Sequence, residues 1–263
     1  MTRTPLHARS ALLAGLLLLA AAAPSHAQEG ERPRNLKVLP ADMTRDQVIA
    51  VMRGFNSALG VRCTHCHAPH TAAKPDSLDF PSDANPKKET ARQMMRMVRG
   101  INRDYLAALA PPGGEAARVE CVTCHRGAPR PLMLEDTLRT VALRQGPDSA
   151  KAVYRRLRTR HYGGFTYDFG ERSLSTLATR LAAEGRAADA RRMLELNAEQ
   201  FPESAGVAFE LGRAYETAHD RDGAVAQYRK ALRLQPGHRQ AQQALQRLTR
   251  GVAVGRGFGR APR

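Results

Sequence analysis

The chain contains no tryptophan, and phenylalanine and tyrosine together make up only 5% of its 263 residues. So thin an aromatic supply argues against a large core made of side chains alone. It leaves room for a bulky apolar group to complete one. Cysteine is nearly absent too, with four residues at positions 63, 66, 121 and 124, which excludes a disulfide-dense scaffold. The apolar run Ala11–Ala23 falls short of the about 20 residues that a membrane-spanning helix takes. Acidic residues are the minority charge, 25 against 41 basic, for a net +16, and most of the excess lies beyond residue 135.

What is present is sharply patterned. All four cysteines fall in two pentads, Cys63-Thr64-His65-Cys66-His67 and Cys121-Val122-Thr123-Cys124-His125. Cys-x-x-Cys-His is the attachment signature of a c-type haem. Two thiols three residues apart reach both vinyl groups of one porphyrin, and the adjacent histidine offers a nitrogen to the iron. A zinc ribbon would separate its halves by about 15–20 residues and would not need the trailing histidines. Disulfides or a thioredoxin-like pair would not need them either. The expected cofactors are therefore two covalently bound haem c groups, with Cys63, Cys66, Cys121 and Cys124 attaching them and His67 and His125 as iron ligands. His65 and His70 read as an exposed side chain and a loop residue.

The start of the chain agrees with that reading. Arg3 and Arg9 precede the apolar run, and Ser25-His26-Ala27 supplies the small residues a signal peptidase reads. Residues 1–27 are expected to be a cleaved signal peptide, with no cysteine at the cleavage site to take a lipid. Haem attachment is completed outside the cytoplasmic membrane, so the expected location is the bacterial periplasm. There the basic excess points to an acidic redox partner or an anionic membrane surface rather than to nucleic acid.

Residues 28–135 read as a dihaem cytochrome c domain. Thr44-Arg-Asp-Gln47 is a capping box, the stripe Val48, Met52, Phe55, Leu59 follows at helical spacing, and Gly60 stops the helix three residues before the first pentad. Residues 68–86 read as a Pro/Asp/Ser-rich loop. A second helix begins near Asn85-Pro86, carries Met94, Met97, Ile101 and Tyr105 on one stripe, and ends near Leu109. A methionine-bearing helix thus precedes each pentad, and thioether sulfur suits the second face of a haem iron held at relatively high potential. Met52 is the candidate for the first haem. Met94, Met95 and Met97 are candidates for the second, and spacing alone does not choose among them.

Residues 35–131 resemble the cytochrome c subunit family of photosynthetic reaction centres. The resemblance rests on Asn35-Leu-Lys-Val-Leu39, Ala58-Leu-Gly-Val61, Ala91-Arg-Gln-Met94 with Met97, Ile101-Asn102, and Cys121-Val-Thr-Cys-His-Arg-Gly127. It implies electron transfer and a methionine sixth ligand on the helix before each pentad, and its Ile-Asn register places that ligand at Met94. Tetrahaem members of the family carry two further haems and a histidine on the second helix, which falls here at Ala108. They also carry a lipid-anchoring cysteine that this chain lacks.

Beyond residue 135 the chain changes character. Residues 136–170 read as a helical connector containing a helix over about 148–160 and the aromatic stretch 161–169. From residue 171 the sequence repeats with a period of 34, pairing Leu177 with Leu211, Ala190 with Ala224, Leu194 with Tyr228 and Pro202 with Pro236. The second copy has the spacing of a tetratricopeptide repeat. The first departs from it at Ala178 and Asn197. Residues 171–250 are thus expected to be repeats closed by a capping helix, and the Gly/Arg-rich residues 251–263 a disordered basic tail.

The expected fold is all-α, a haem-organised dihaem domain followed by a short α-solenoid. The expected function is electron transfer, with the repeats docking a protein partner. The alternatives are a dihaem peroxidase with one open iron and a redox-sensing scaffold.

Overall fold

The computed structural model describes residues 32–255. Helix α1 (Arg45–Leu59) opens on the expected capping box. Gln47 N donates to Thr44 Oγ1 at 3.3 Å, and Thr44 N donates to Gln47 Oε1 at 2.8 Å. Gly60 ends the helix at φ 64°, and a Cβ there would lie 2.2 Å from the carbonyl oxygen of Gly127, so both backbone sterics and packing require glycine.

A 3₁₀ turn, Cys63–His65, leads into a feature the composition hides. The segment read as a loop contains an antiparallel hairpin, β1 (Ala68–Thr71) and β2 (Lys74–Asp79), with a register shift between Pro69 and Thr71. Most of its side chains are exposed, so no alternation of apolar and polar residues marks it. Helix α2 (Lys87–Gly100) follows, with Lys87 N donating to Asn85 Oδ1. Its path runs to Leu109 as expected, but the end is a π turn over Ile101–Leu106 and a 3₁₀ turn over Ala107–Leu109. Helix α3 (Cys121–His125) is the second pentad itself.

Seven further helices make up the rest: α4 (Leu134–Gln145), α5 (Pro147–His161), α6 (Glu171–Ala183), α7 (Ala187–Gln200), α8 (Ala205–Thr217), α9 (Arg221–Leu234) and α10 (Arg239–Gly255). They pack as hairpins α4/α5, α6/α7 and α8/α9, with α10 against α9. The stretch 136–170 therefore does more than connect. Leu134, Leu138 and Ala142 of α4 and Ala150 and Tyr154 of α5 share one core with Leu174, Leu177 and Leu181 of α6. Three helical pairs and a cap satisfy the need of such stacks for about three units, each covering its neighbour's apolar face. Gly146, at φ 87°, is the whole link between α4 and α5, and Pro147 begins the next helix.

The departures of the first repeat have physical reasons. A Cβ on Gly212 would sit 2.6 Å from the Tyr228 ring, so that pair of helices needs glycine. The equivalent positions in the first copy hold Ala178 and Leu194, a larger residue facing a smaller one. Asn197 is fully buried, and its Nδ2 donates to Glu171 O (2.9 Å) and Ser175 Oγ (3.1 Å), tying α7 to the start of α6. Helix α10 runs through Gly255, five residues into the tail that composition assigned to disorder. The expected signal peptide, residues 1–27, and the rest of the expected tail, residues 256–263, lie outside the described residues.

Among the described residues the fold is all-α apart from the one hairpin. Its apolar core is one-sided: among residues 32–133 the buried apolar side chains are Ala58 and Ala128 alone, and all the core clusters lie beyond residue 133.

Candidate functional site

The first pentad hangs from the C-terminus of α1. Cys66 N and His67 N both donate to Cys63 O, at 3.2 and 3.0 Å, which rolls the two thiols and the histidine onto one turn. Asn56 Nδ2 lies 3.6 Å from Cys63 Sγ, and Asn85 Nδ2 donates to His65 O. His67 is half-buried and meets the edge of Phe80, with ring centroids 5.0 Å apart. Burial pushes its pKa down, the Lys88 ammonium pushes it the same way, and the Phe80 backbone pulls weakly upward. Both of the larger effects favour the neutral imidazole, the form that binds a metal. Its Nδ1 is buried without a hydrogen-bond partner.

Lys88 is fixed by three carbonyls. Its Nζ donates to Phe80 O, Pro81 O and Ser82 O at 2.8, 2.9 and 2.8 Å. Beside it, Asp83 accepts from Asn35, Lys37 and Arg92 and pairs with Lys88 at 3.2 Å. Those cations hold the Asp83 carboxyl well below the usual carboxylate range, with Arg92 the largest cause. The hub joins residues 35–37, the end of the hairpin and α2 around the first pentad. His65 stands 3.5 Å from Lys87 Nζ, and His70 is exposed on β1.

The second pentad is clamped from α2. Asn102, within the π turn, donates through Nδ2 to Val119 O and accepts through Oδ1 from Val119 N, both at 2.8 Å. Glu120 and Thr123 then form a capping box over α3. His125 Nδ1 lies 2.9 Å from Ala128 O. A carbonyl can only accept, so Nδ1 is the donor here, and in the neutral ring Nε2 is the nitrogen available to a metal. Arg126 (φ 48°) and Gly127 (φ 89°) turn the chain back, and Gly127 N donates to Ala58 O at 2.8 Å, seating this pentad against the end of α1.

A cavity of about 560 Å³ opens against Cys121 between α1 and α2, lined among others by Val51, Phe55, Met95, Val98 and Asn102. Met52 is half-buried on α1, next to the Val51 and Phe55 wall. Met94 and Met97 are 37% and 47% exposed on the flank of α2 beside the cavity, whereas Met95 lies in its wall. The stripe of Met94, Met97 and Tyr105 therefore faces outward. Helical periodicity identified these methionines as candidates without saying which way the stripe points. It also missed Asn102 as a clamp, since the Ile-Asn pair served only to set the register, and it missed the Lys88–Asp83–Arg92 hub, whose members are far apart in sequence.

The residues fit two haems. Burial favours the neutral form of one histidine, and a backbone carbonyl accepts from Nδ1 of the other. Each pentad presents both thiols on one turn, and all four cysteines are free thiols. Around them lies a region whose large apolar residues, Phe80, Met94, Met97, Tyr105 and Val122, stand exposed with no side-chain core to cover them.

Residues 30–140 match the family model described as photosynthetic reaction centre cytochrome C subunit, enclosing the stretch that the motifs marked out. The photosynthetic reaction center cytochrome c subunit of Rubrivivax gelatinosus is 33% identical over 95 residues, covering 33% of this chain and 24% of that protein. Cytochrome c-554 of Chloroflexus aurantiacus is 36% identical over 99 residues, covering 37% of this chain and 21% of that protein. The chain thus spans a quarter or less of the length of these relatives. Among solved structures, the Sgt2 TPR domain from Aspergillus fumigatus aligns at a TM-score of 0.33 and 18% identity, over 49% of this chain and 83% of that one. MamA aligns at 0.33 and 17%, over 46% and 67%.

Proposed function

We propose that the protein is a periplasmic dihaem electron carrier whose helical repeats dock a protein partner. The observation that carries this reading is the pair of pentads, one histidine half-buried and the other bonded through Nδ1 to a backbone carbonyl, set in a region with almost no side-chain core. Bound there, each haem would supply a one-electron ferric/ferrous couple. Cys63 and Cys66 would hold the first through thioethers, and Cys121 and Cys124 the second. His67 and His125 would supply nitrogen ligands to the irons, and Met52 and Met94 would supply thioether sulfur. Irons ligated by protein in that way would have no position open for a substrate, which favours electron carriage over peroxidase chemistry. No helix among the described residues is long and apolar enough to cross a membrane, so the carrier would reach its redox partner by docking. The net charge of +16 favours an acidic one.

The test is a visible spectrum with a haem-to-protein ratio, on protein matured in a host that attaches c-type haem. Two haems per chain are expected, retained in acidified organic solvent, with a methionine-to-ferric-iron charge-transfer band. That band should weaken in both Met52→Ala and Met94→Ala. If Met95→Ala weakens it and Met94→Ala does not, the second ligand moves to the cavity wall. Colourless protein would overturn the reading. Ready binding of cyanide or carbon monoxide by the resting protein would replace the carrier with an open-haem enzyme.

A further inference from the structure

Beyond the helical bond from Arg126 N to Val122 O, four hydrogen bonds hold the turn that follows His125. Ala128 N donates to His125 O at 2.9 Å, His125 Nδ1 donates to Ala128 O at 2.9 Å, and Gly127 N donates to Ala58 O at 2.8 Å. These three come from the region carrying the pentads. The fourth does not: Thr166 Oγ1, in the aromatic stretch between α5 and α6, donates to Arg126 O at 2.7 Å. A Cβ on Gly127 would lie 3.3 Å from the same Thr166 oxygen, so the two segments are in direct contact.

Both ends of this tie are stiff. On the repeat side, Phe169 is buried edge-on against Tyr154 and Tyr167, Ser173 Oγ donates to Asp168 O, and Gly170 N donates to Asp168 Oδ1. On the pentad side, Arg126 occupies the left-handed region at φ 48°, a conformation that persists in a non-glycine residue only when its surroundings hold it there. Thr166 is one of those surroundings.

We propose that Thr166 is a positioning residue for the second haem, fixing the turn whose carbonyl orients and polarises His125. The inference rests on the dihaem reading. A hydrogen bond accepted from Nδ1–H makes the imidazole a stronger donor to iron and favours the ferric state. Loosening the turn should weaken that bond and shift the second haem alone toward the ferrous state. Losing a metal-bound histidine's direct partner costs roughly 10–100-fold. Thr166 acts one bond further out, so about threefold in that haem's reduction equilibrium is expected.

The experiment is a redox titration of the full-length holoprotein with wild-type, Thr166→Val and Thr166→Ser chains. The second wave is assigned as the one missing from a Cys121→Ser, Cys124→Ser variant. Thr166→Val should move that wave toward easier reduction and leave the first in place, with the thermal transition of the repeats unchanged, and Thr166→Ser should restore it. Unmoved waves, equal movement of both, or failure of serine to restore the second would overturn the inference while leaving two haems in place. A parent protein without two haems would instead overturn the reading beneath it. Should Thr166→Val not accumulate, the Thr166→Ser titration and the paramagnetically shifted His125 ring-proton resonances decide, since serine must reproduce both.

Discussion

The two halves of this chain solve the burial problem in opposite ways. Residues 134–250 bury leucine, alanine and tyrosine in clusters, with Leu138, Leu177, Leu181 and Tyr228 fully enclosed. Residues 32–133 have well-capped helices and dense polar ties, yet bury only Ala58 and Ala128 among apolar side chains. Hydrogen bonds contribute about 1 kcal/mol each and cannot replace apolar burial as the main drive to fold. The first half therefore encodes attachment points for a core, whereas the second encodes the core itself.

The largest predicted effect breaks that symmetry outright. Full-length protein made without haem attachment should lose protease resistance throughout residues 32–133 while residues 134–250 stay protected, as read by limited proteolysis and mass spectrometry of the fragments. Equal protection of both halves would mean that the first half has a core of its own and would undo the contrast.

A smaller effect tests the second half's packing. Gly212→Ala should cost about 1–3 kcal/mol, because the added methyl overlaps the Tyr228 ring and tight cores resist overpacking. Adding Tyr228→Leu recreates the Ala178/Leu194 pairing of the first repeat and should recover part of the loss despite giving up the bond from Tyr228 Oη to Glu216. Urea unfolding of the two variants measures both steps. A double variant less stable than the single would show that the two repeats do not use interchangeable solutions.

How far the sequence could be read follows the same division. The capping box, Gly60 and the 34-residue period are local signatures with a physical reason, and the helices start, stop and pair where they point. The start of the stack was harder to see. Leu134, Leu138 and Ala142 have helical spacing, but α4 and α5 join through Gly146 alone, so their pair falls out of the 34-residue period. The β hairpin carries no apolar alternation, and the π turn at Ile101 arises from how α2 ends against Val119, which depends on tertiary structure. Which of Met94 and Met95 turns inward depends on the rotation of α2, a packing outcome. Thr166 could not be found at all, because a hydroxyl reaching a carbonyl 40 residues away leaves no trace in spacing.

The smallest effect concerns what the first half uses in place of apolar contacts. Asp83 gathers Asn35, Lys37, Lys88 and Arg92, and these partners hold its carboxyl far below the usual carboxylate range. A carboxylate whose pKa is depressed on folding stabilises the folded state fully above its unfolded pKa. That contribution then fades as pH falls from there toward the folded value, because the unfolded chain takes up the proton first. The stability difference between wild-type holoprotein and Asp83→Asn should therefore be flat from neutral pH down to about 5 and shrink below about 4. The hub is partly exposed, so added salt should shrink it as well. Denaturant titrations across pH 2–7 at low and high salt check both trends. A difference that persists undiminished at the acid end would mean that Asp83 acts by shape rather than charge. The first half would then be ordered by packing after all, and the contrast with the repeats would be one of degree.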